Sequence, residues 1–240
     1  MGKDTSISWT DATANESAGC RKVDKACSAC YMYRMRAEWG ERGDEIKRYN
    51  LKNLSKRIKS WPAAKHLIFF DDFTDLFGEF NSYEYIKQVF EVVILANPDR
   101  EFQLLTKRIG RALVFFRDYW KKPIPRNIWV GCSIGEKSRL FRIGQLLQIK
   151  SLGAKIVYIS FEPLIEDLGE FNIVGVDQAI VGGMSGPAPI PMKPEWAESI
   201  RKICERDGVA FYFKQVGGVG SNGAGGDLLG GKQYHNFPKW

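Results

Sequence analysis

Three of the five cysteines, Cys20, Cys27 and Cys30, fall within eleven residues as C-x6-C-x2-C, with Tyr31 directly after. Thiolates this close, on a loop leading into a helical stretch, can hold a metal ion or an iron–sulfur cluster. Structural zinc ordinarily takes four ligands, often as two paired knuckles. The chain has a single C-x2-C pair and only two histidines, His66 and His235, so a Cys3His zinc site is one solution. The other is a [4Fe–4S] cluster on three thiolates, one short of the usual four. Its remaining iron is then open to a small chelator such as the amino and carboxylate groups of S-adenosylmethionine. Spacing alone leaves both solutions open. Cys132, in an apolar strand-like run, and Cys204, on a helical pattern with Trp196, Ile200 and Ile203, read as core thiols.

The elements that must position such a loop follow from hydrophobic periodicity. Apolar runs predict strands at Ile7–Thr10, Leu67–Phe70, Phe102–Thr106, Ile128–Ser133, Ile156–Phe161, Ala179–Gly182 and Ala210–Phe213. Helical patterns lie between them at about 29–39, 44–59, 82–96, 108–119, 137–150 and 194–206. Strands apolar almost throughout, each followed by a helix, imply a parallel sheet covered by helices. Seven strands approach a β/α barrel and stop short of the full eight, so a partial barrel is expected, with a doubly wound sheet as the alternative. In either, chemistry belongs at the carboxyl ends of the strands. Those ends are rich in polar and glycine residues: Asp71, Asp72, Thr74 and Asp75; Thr106, Lys107 and Arg108; Ser133; Glu162; Gly182, Gly183 and Ser185; Lys214 and Gln215. A lined pocket is expected there. Helix N-capping is the structural alternative for Asp72 and Asp75, and a salt bridge to Glu162 is one for Lys107. An unpaired Glu162 carboxylate at a barrel mouth is costly to desolvate, which favours function.

Composition sets the frame. With 44% hydrophobic and 26% charged residues over 240 positions, the chain reads as one ordinary globular domain, 1–240, and not as a disordered or fibrous one. No apolar run nears the roughly twenty residues of a membrane helix, and no secretion signal opens the chain. A cytoplasmic protein, with no membrane partner, is expected. The net charge of +7 is concentrated: residues 21–65 carry thirteen Lys or Arg against five Asp or Glu. That basic segment, helical over about 32–65, is either a nucleic-acid footprint or a solvated helix face over Leu51, Leu54 and Ile58. The segment 217–231 has eight glycines but no P-loop signature, and reads as a flexible connection.

Several stretches carry a resemblance. Gly19-Cys20 followed by Cys27-Ser28-Ala29-Cys30-Tyr31 resembles the cluster loop of spore-photoproduct-lyase-like radical SAM proteins, with three extra residues between the first two cysteines. Nearly the whole chain is similar to the three-Cys-motif, radical-SAM-like family common in phages. The similarity runs through Trp9-Thr10-Asp11, Thr74-Asp75-Leu76-Phe77, Phe102 to Arg108, Ile128-Trp129-Val130-Gly131, Glu162-Pro163-Leu164, Val181-Gly182-Gly183, Ser185-Gly186-Pro187, Pro194-Glu195-Trp196 and Phe213-Lys214-Gln215. The chain departs from the family pattern at Gly135, Met184 and Ile190, where the family usually has an acid, a glutamate and an arginine.

The resemblance implies a partial (β/α)6-type barrel in a single α/β, radical SAM-like domain. It implies a [4Fe–4S] cluster on Cys20, Cys27 and Cys30, with S-adenosylmethionine on Asp72, Thr74, Lys107, Ser133, Gly182 and Gly183. Lys107 and Glu162 are the expected catalytic residues, and an electron donor such as flavodoxin or ferredoxin the expected partner. The expected outcome is a 5′-deoxyadenosyl radical acting on phage DNA in the host cytoplasm, in thymidine hypermodification, as in isomerisation of a glycyl adduct. DNA or a nucleotide would then meet Tyr31, Arg34, Arg36, Lys52, Lys56, Lys214 and Gln215, with Tyr33 and Trp39 as further stacking rings. The alternative is a noncatalytic nucleic-acid-binding protein with a structural metal or cluster.

Overall fold

Strands that are apolar at nearly every position must bury both faces, and this chain does so by wrapping them into half a barrel. The computed structural model describes residues 4–28, 30–220 and 223–239. Ala29 of the cysteine loop, positions 221–222 of the glycine-rich segment, and the chain ends at 1–3 and 240 lie outside the described residues. Seven parallel strands lie side by side in chain order: β1 (Ala12–Ala14), β2 (Leu67–Phe70), β3 (Glu101–Thr106), β4 (Ile128–Ser133), β5 (Ile156–Phe161), β6 (Gln178–Gly182) and β7 (Ala210–Gln215). The sheet curls with β1 and β7 as its two edges, so the barrel stays open on one side.

Side-chain alternation sorts the core in two. On the convex face Ile68, Phe70, Leu104, Val130, Val157, Ile159, Phe161 and Val181 join the helices in one cluster. On the concave face Leu67, Phe69, Trp129, Ile156, Tyr158, Ile180 and Tyr212 form a second. The small residue Gly131 makes room inside: a Cβ there would lie 2.4 Å from the Tyr158 ring. Trp9 plugs the amino end of this interior, its ring 4.7 Å from Phe69. The segment Ile7–Thr10, expected as a strand, is therefore a turn; the edge strand comes later, at Ala12–Ala14, where small residues are fully covered. The chain's other end closes the same floor, with His235 stacked 4.4 Å from Tyr212.

Among the described residues, six α-helices cover the convex face and the thiol loop: α1 (Tyr31–Glu38), α2 (Leu51–Lys59), α3 (Tyr83–Val89), α4 (Ile109–Val114), α5 (Arg142–Ser151) and α6 (Pro194–Asp207). Their ends follow local chemistry. Asn50 caps α2 by accepting from Asn53 N, and Ser82 caps α3 by accepting from Tyr85 N. Pro194 opens α6, and Gly208 ends it at φ 71°. Helix α2 is shorter than the predicted 44–59, because Lys47–Arg48 pairs instead with Ser17–Ala18 as a two-residue ribbon. Helices α3 and α4 run on into π-helical turns at Phe90–Ile94 and Phe115–Trp120, which bring Phe90, Phe115, Phe116 and Trp120 into one aromatic cluster. The described parts of the glycine-rich segment are paired, not a free connection: Gly218–Val219 pairs with Ser185–Gly186, and Leu228–Leu229 with Lys232–Gln233. No described helix is long and apolar enough to cross a membrane.

Candidate functional site

The thiol loop leaves β1 and is pinned across the carboxyl ends of the strands. Gly19 starts it at φ 104°, and a Cβ there would fall 2.1 Å from the Glu45 carbonyl oxygen and 2.5 Å from the Arg36 guanidinium. Tyr33 Oη donates to the Cys20 carbonyl, and Cys20 N donates to Gly43 O at 2.9 Å. Farther along, Asp24 turns inward onto Arg142 at 3.0 Å, with both side chains almost wholly buried. Ala26 meets the backbone beyond β4, where only glycine fits: a Cβ on Gly135 would lie 2.3 Å from the Pro163 carbonyl oxygen. Cys27 closes a one-turn 3-10 segment and donates to Asp24 Oδ1 at 3.2 Å; Cys30 caps the start of α1. All three thiols are half-buried, whereas Cys132 and Cys204 are fully buried in the helix-side core. Burial, reinforced by Asp75, pushes the Cys20 thiol up to about 12 against the pull of Arg108. Burial also raises Cys27, which Lys107 opposes. Binding a cation would therefore release protons from these thiols.

The strand ends beneath the loop divide into residues that build it and residues left free. Asp75 does not cap a helix. It accepts from Thr106 Oγ1 at 2.7 Å, from Lys107 N at 3.1 Å and from Arg108 Nη1 at 3.0 Å. Asp72 does not cap one either; it accepts from Asn15 Nδ2 at 2.6 Å and from Tyr31 Oη at 3.1 Å, and burial raises its pKa. Thr74 is spent on the loop, donating to Gly19 O at 2.8 Å and accepting from Ser17 Oγ at 3.1 Å. Lys107 Nζ makes no hydrogen bond or ion pair among the described residues, yet its charge reaches both Cys27 and Asp24. Ser133, level with Lys107 on the next strand and paired in register with Ser160, is buried with its hydroxyl uncommitted among the described residues.

Glu162 is paired after all. Its carboxylate takes the Lys214 ammonium, which corrects both the expectation of a bare carboxylate and that of a Lys107–Glu162 bridge. Gly182 lies against that carboxyl group, a Cβ there falling 3.3 Å from it. Gly183 abuts the Val216 carbonyl oxygen, where a Cβ would collide at 1.9 Å, so it serves strand-to-loop packing. Gln215 is likewise internal: its amide donates to Gly183 O at 2.9 Å and to Ser185 Oγ at 2.7 Å, and accepts from Gly223 N at 2.6 Å. Gln215 cannot then serve as a substrate contact.

The structure thus brings together the three cysteines, Tyr31, Asp72, Lys107, Ser133, Glu162, Gly182 and Lys214, while Thr74, Gly183 and Gln215 hold the frame. Of the residues assigned to nucleic acid, Arg36 is buried, donating to Glu41 Oε2 at 3.1 Å and to Glu45 O at 2.5 Å, and cannot meet phosphate. Arg34 is half-exposed beside Glu38, and Lys52 and Lys56 lie exposed on α2 above buried Leu54 and Ile58. Tyr33 is sealed between Lys22, over its ring at 4.7 Å, and Gly43. An aromatic rim does remain: Tyr31 and Trp39 are exposed, and both pack on Phe73, with Trp39 stacked at 5.9 Å.

Three functional contributions were missed from sequence. The first is Asp24–Arg142, although Asp24 is the sole acid among residues 21–25. The second is Arg108 as the clamp on Cys20. The third is a buried acid pair: Asp71, at φ 72°, accepts from Glu16 N at 3.0 Å while its Oδ2 has no partner among the described residues, and Glu16 Oε2 accepts from Tyr85 Oη at 2.5 Å. Nothing in the sequence marks Glu16.

Among the described residues no three His, Cys, Asp or Glu side chains converge as a metal-holding group. A family model described as "Protein of unknown function (DUF5131)" matches residues 4–238. The chain belongs to the DUF5131 family. No curated protein and no solved structure matches it. The DUF5131 match takes in the thiol loop, all seven strand ends and the glycine-rich segment, so these form one family unit.

Proposed function

We propose that this DUF5131 chain is a radical S-adenosylmethionine enzyme whose cluster is held by Cys20, Cys27 and Cys30. The observation that carries the reading is where the other soft ligands lie. Cys132 and Cys204 are sealed in the helix-side core, His66 precedes β2 with Nδ1 2.9 Å from Asp99 O, and His235 stacks on Tyr212. None of them is placed to complete a four-ligand zinc site. Three thiols on one loop without a fourth soft partner suit, in kind and number, a cluster with one open iron, which would have to draw their side chains together. When bound, such a group would pass one electron from an external donor to the sulfonium of S-adenosylmethionine, breaking its C5′–S bond to release methionine and the 5′-deoxyadenosyl radical.

The chain's own residues do the rest. The uncommitted Lys107 ammonium pairs with the methionyl carboxylate, and the Ser133 hydroxyl hydrogen-bonds the ribose. Glu162 is held at the mouth by its ion pair with Lys214. Tyr31, bound to Asp72 and lying beside Phe73 and Trp39, offers a stacking edge for a base turned out of its helix. A DNA base, with thymidine hypermodification as the setting, is the proposed substrate. The exposed Arg34, Lys52 and Lys56 offer charge for its phosphates.

The test is anaerobic reconstitution followed by reduction with S-adenosylmethionine. About four irons per chain and 5′-deoxyadenosine formation, abolished by Cys30→Ala, are expected. Zinc without iron, and no 5′-deoxyadenosine above the Cys30→Ala background, would replace the enzyme with a binding module. Modified phage DNA carried through the same reaction, digested and separated, should give a nucleoside of shifted retention at constant mass. Cofactor cleavage with unchanged nucleosides would remove DNA as the substrate and leave the enzyme.

A further inference from the structure

Arg108 is the residue through which the sheet reaches the first thiol. It follows β3, its side chain is 5% exposed, and each end of its guanidinium is committed. Nε donates to Glu79 Oε2 at 2.6 Å, Nη2 to Arg21 O at 2.8 Å, and Nη1 both to Asp75 Oδ2 at 3.0 Å and to Cys20 Sγ at 3.9 Å. Asp75 is itself locked by Thr106 and the Lys107 backbone, so the cation cannot swing away. A structural clamp needs only the bond to the Arg21 carbonyl. The remaining contact puts a fixed positive charge and an N–H donor on sulfur.

We infer that Arg108 is a positioning residue that sets Cys20 and raises the reduction potential of an iron–sulfur group bound there. The inference rests on the cluster reading above. A cluster bound there would accept one electron from a low-potential donor protein with no bond formed or broken, and a guanidinium facing the Cys20 sulfur would stabilise the extra negative charge of the reduced form. Hydrogen bonds to sulfur and nearby charge are among the levers that set such potentials. Removing the cation also exposes the cluster to the Asp75 and Glu79 carboxylates, which moves the potential the same way.

The test compares the midpoint potential of reconstituted wild type, Arg108→Lys and Arg108→Met, with iron content measured alongside. A more negative midpoint in Arg108→Met, largely restored in Arg108→Lys, is expected. Full iron loading at an unchanged midpoint in Arg108→Met would overturn the role while leaving the cluster intact. If Arg108→Met does not fold, wild type carries the test. Its iron–thiolate stretching bands should shift between H2O and D2O, and identical bands in both would overturn the sulfur hydrogen bond. A wild-type chain that binds zinc and no iron would remove the cluster reading, and this role with it.

Discussion

At the scale of single residues, the mouth sets a free Lys107 against several committed cations among the described residues. Lys107 Nζ has no partner among the described residues, whereas Lys214, Arg108 and Arg142 are each tied to a carboxylate. Lys107→Met should therefore leave the unfolding midpoint near wild type. It should weaken S-adenosylmethionine binding about 10- to 100-fold, the loss of one charged hydrogen bond, as titration calorimetry of the reconstituted protein would read. The buried acids give a pH prediction. Burial, first, and their mutual repulsion hold Asp71 well above the ordinary carboxylate range, and burial raises Glu16. The folded chain thus keeps protons that the unfolded chain has already released. Stability is full below the unfolded carboxylate pKa and declines as pH rises through the raised values. Asp71→Asn keeps an acceptor for Glu16 N and suits the left-handed backbone. Denaturation at pH 5 and pH 8 (~3 units apart) should show a flatter pH dependence in this variant than in wild type, and an equal decline in both would sink the assignment.

At the scale of elements, the thiol loop is a bridge, not a flap. The Asp24–Arg142 pair anchors its middle to α5, and Arg139 Nη2 donates to Val23 O at 3.4 Å. Because the pair is buried, removing one partner strands the other, at a cost of about 3–5 kcal/mol. Arg142→Met should speed amide exchange across residues 20–28 and alkylation of Cys27 in the metal-free protein, with exchange in β4 and β5 much less affected. Exchange that rises uniformly across the sheet would mean that the pair supports the global fold instead of the loop. The same scale explains why α2 is a solvated surface: Leu54 and Ile58 face the core, so Lys52, Lys56 and Lys59 point outward.

At the scale of the whole molecule, the basic segment is partly consumed by the fold. Arg36 and Arg48 are tied into it, Lys47 and Arg42 are paired with Glu41 and Asp44, and Lys52 and Lys56 remain exposed. If these lysines meet phosphates, Lys52→Ala and Lys56→Ala should each lower the slope of log affinity against log salt by about one, while Arg36→Ala should lower stability without changing the slope. Filter or anisotropy binding to DNA over a salt series would check this.

The sequence by itself determined the parallel sheet, because strands buried on both faces must read apolar throughout, and Leu67–Phe70, Ile128–Ser133 and Ile156–Phe161 do so. It also determined that polar residues gather at one end of that sheet, since each follows the last apolar residue of its strand, and that Cys132 and Cys204 are core while three other cysteines share a loop. Tertiary structure alone decided which polar groups were already spent. Glu162 against Lys214, Asp75 against Arg108 and Asp24 against Arg142 are pairs separated by 33 residues or more, where spacing carries no information. It also decided that Trp9 plugs the floor in place of a strand, because an indole from a local turn fills a space that only the assembled seven-stranded sheet creates. Local pattern reports what a segment can bury; the partner of a buried charge is fixed only when the sheet closes around it.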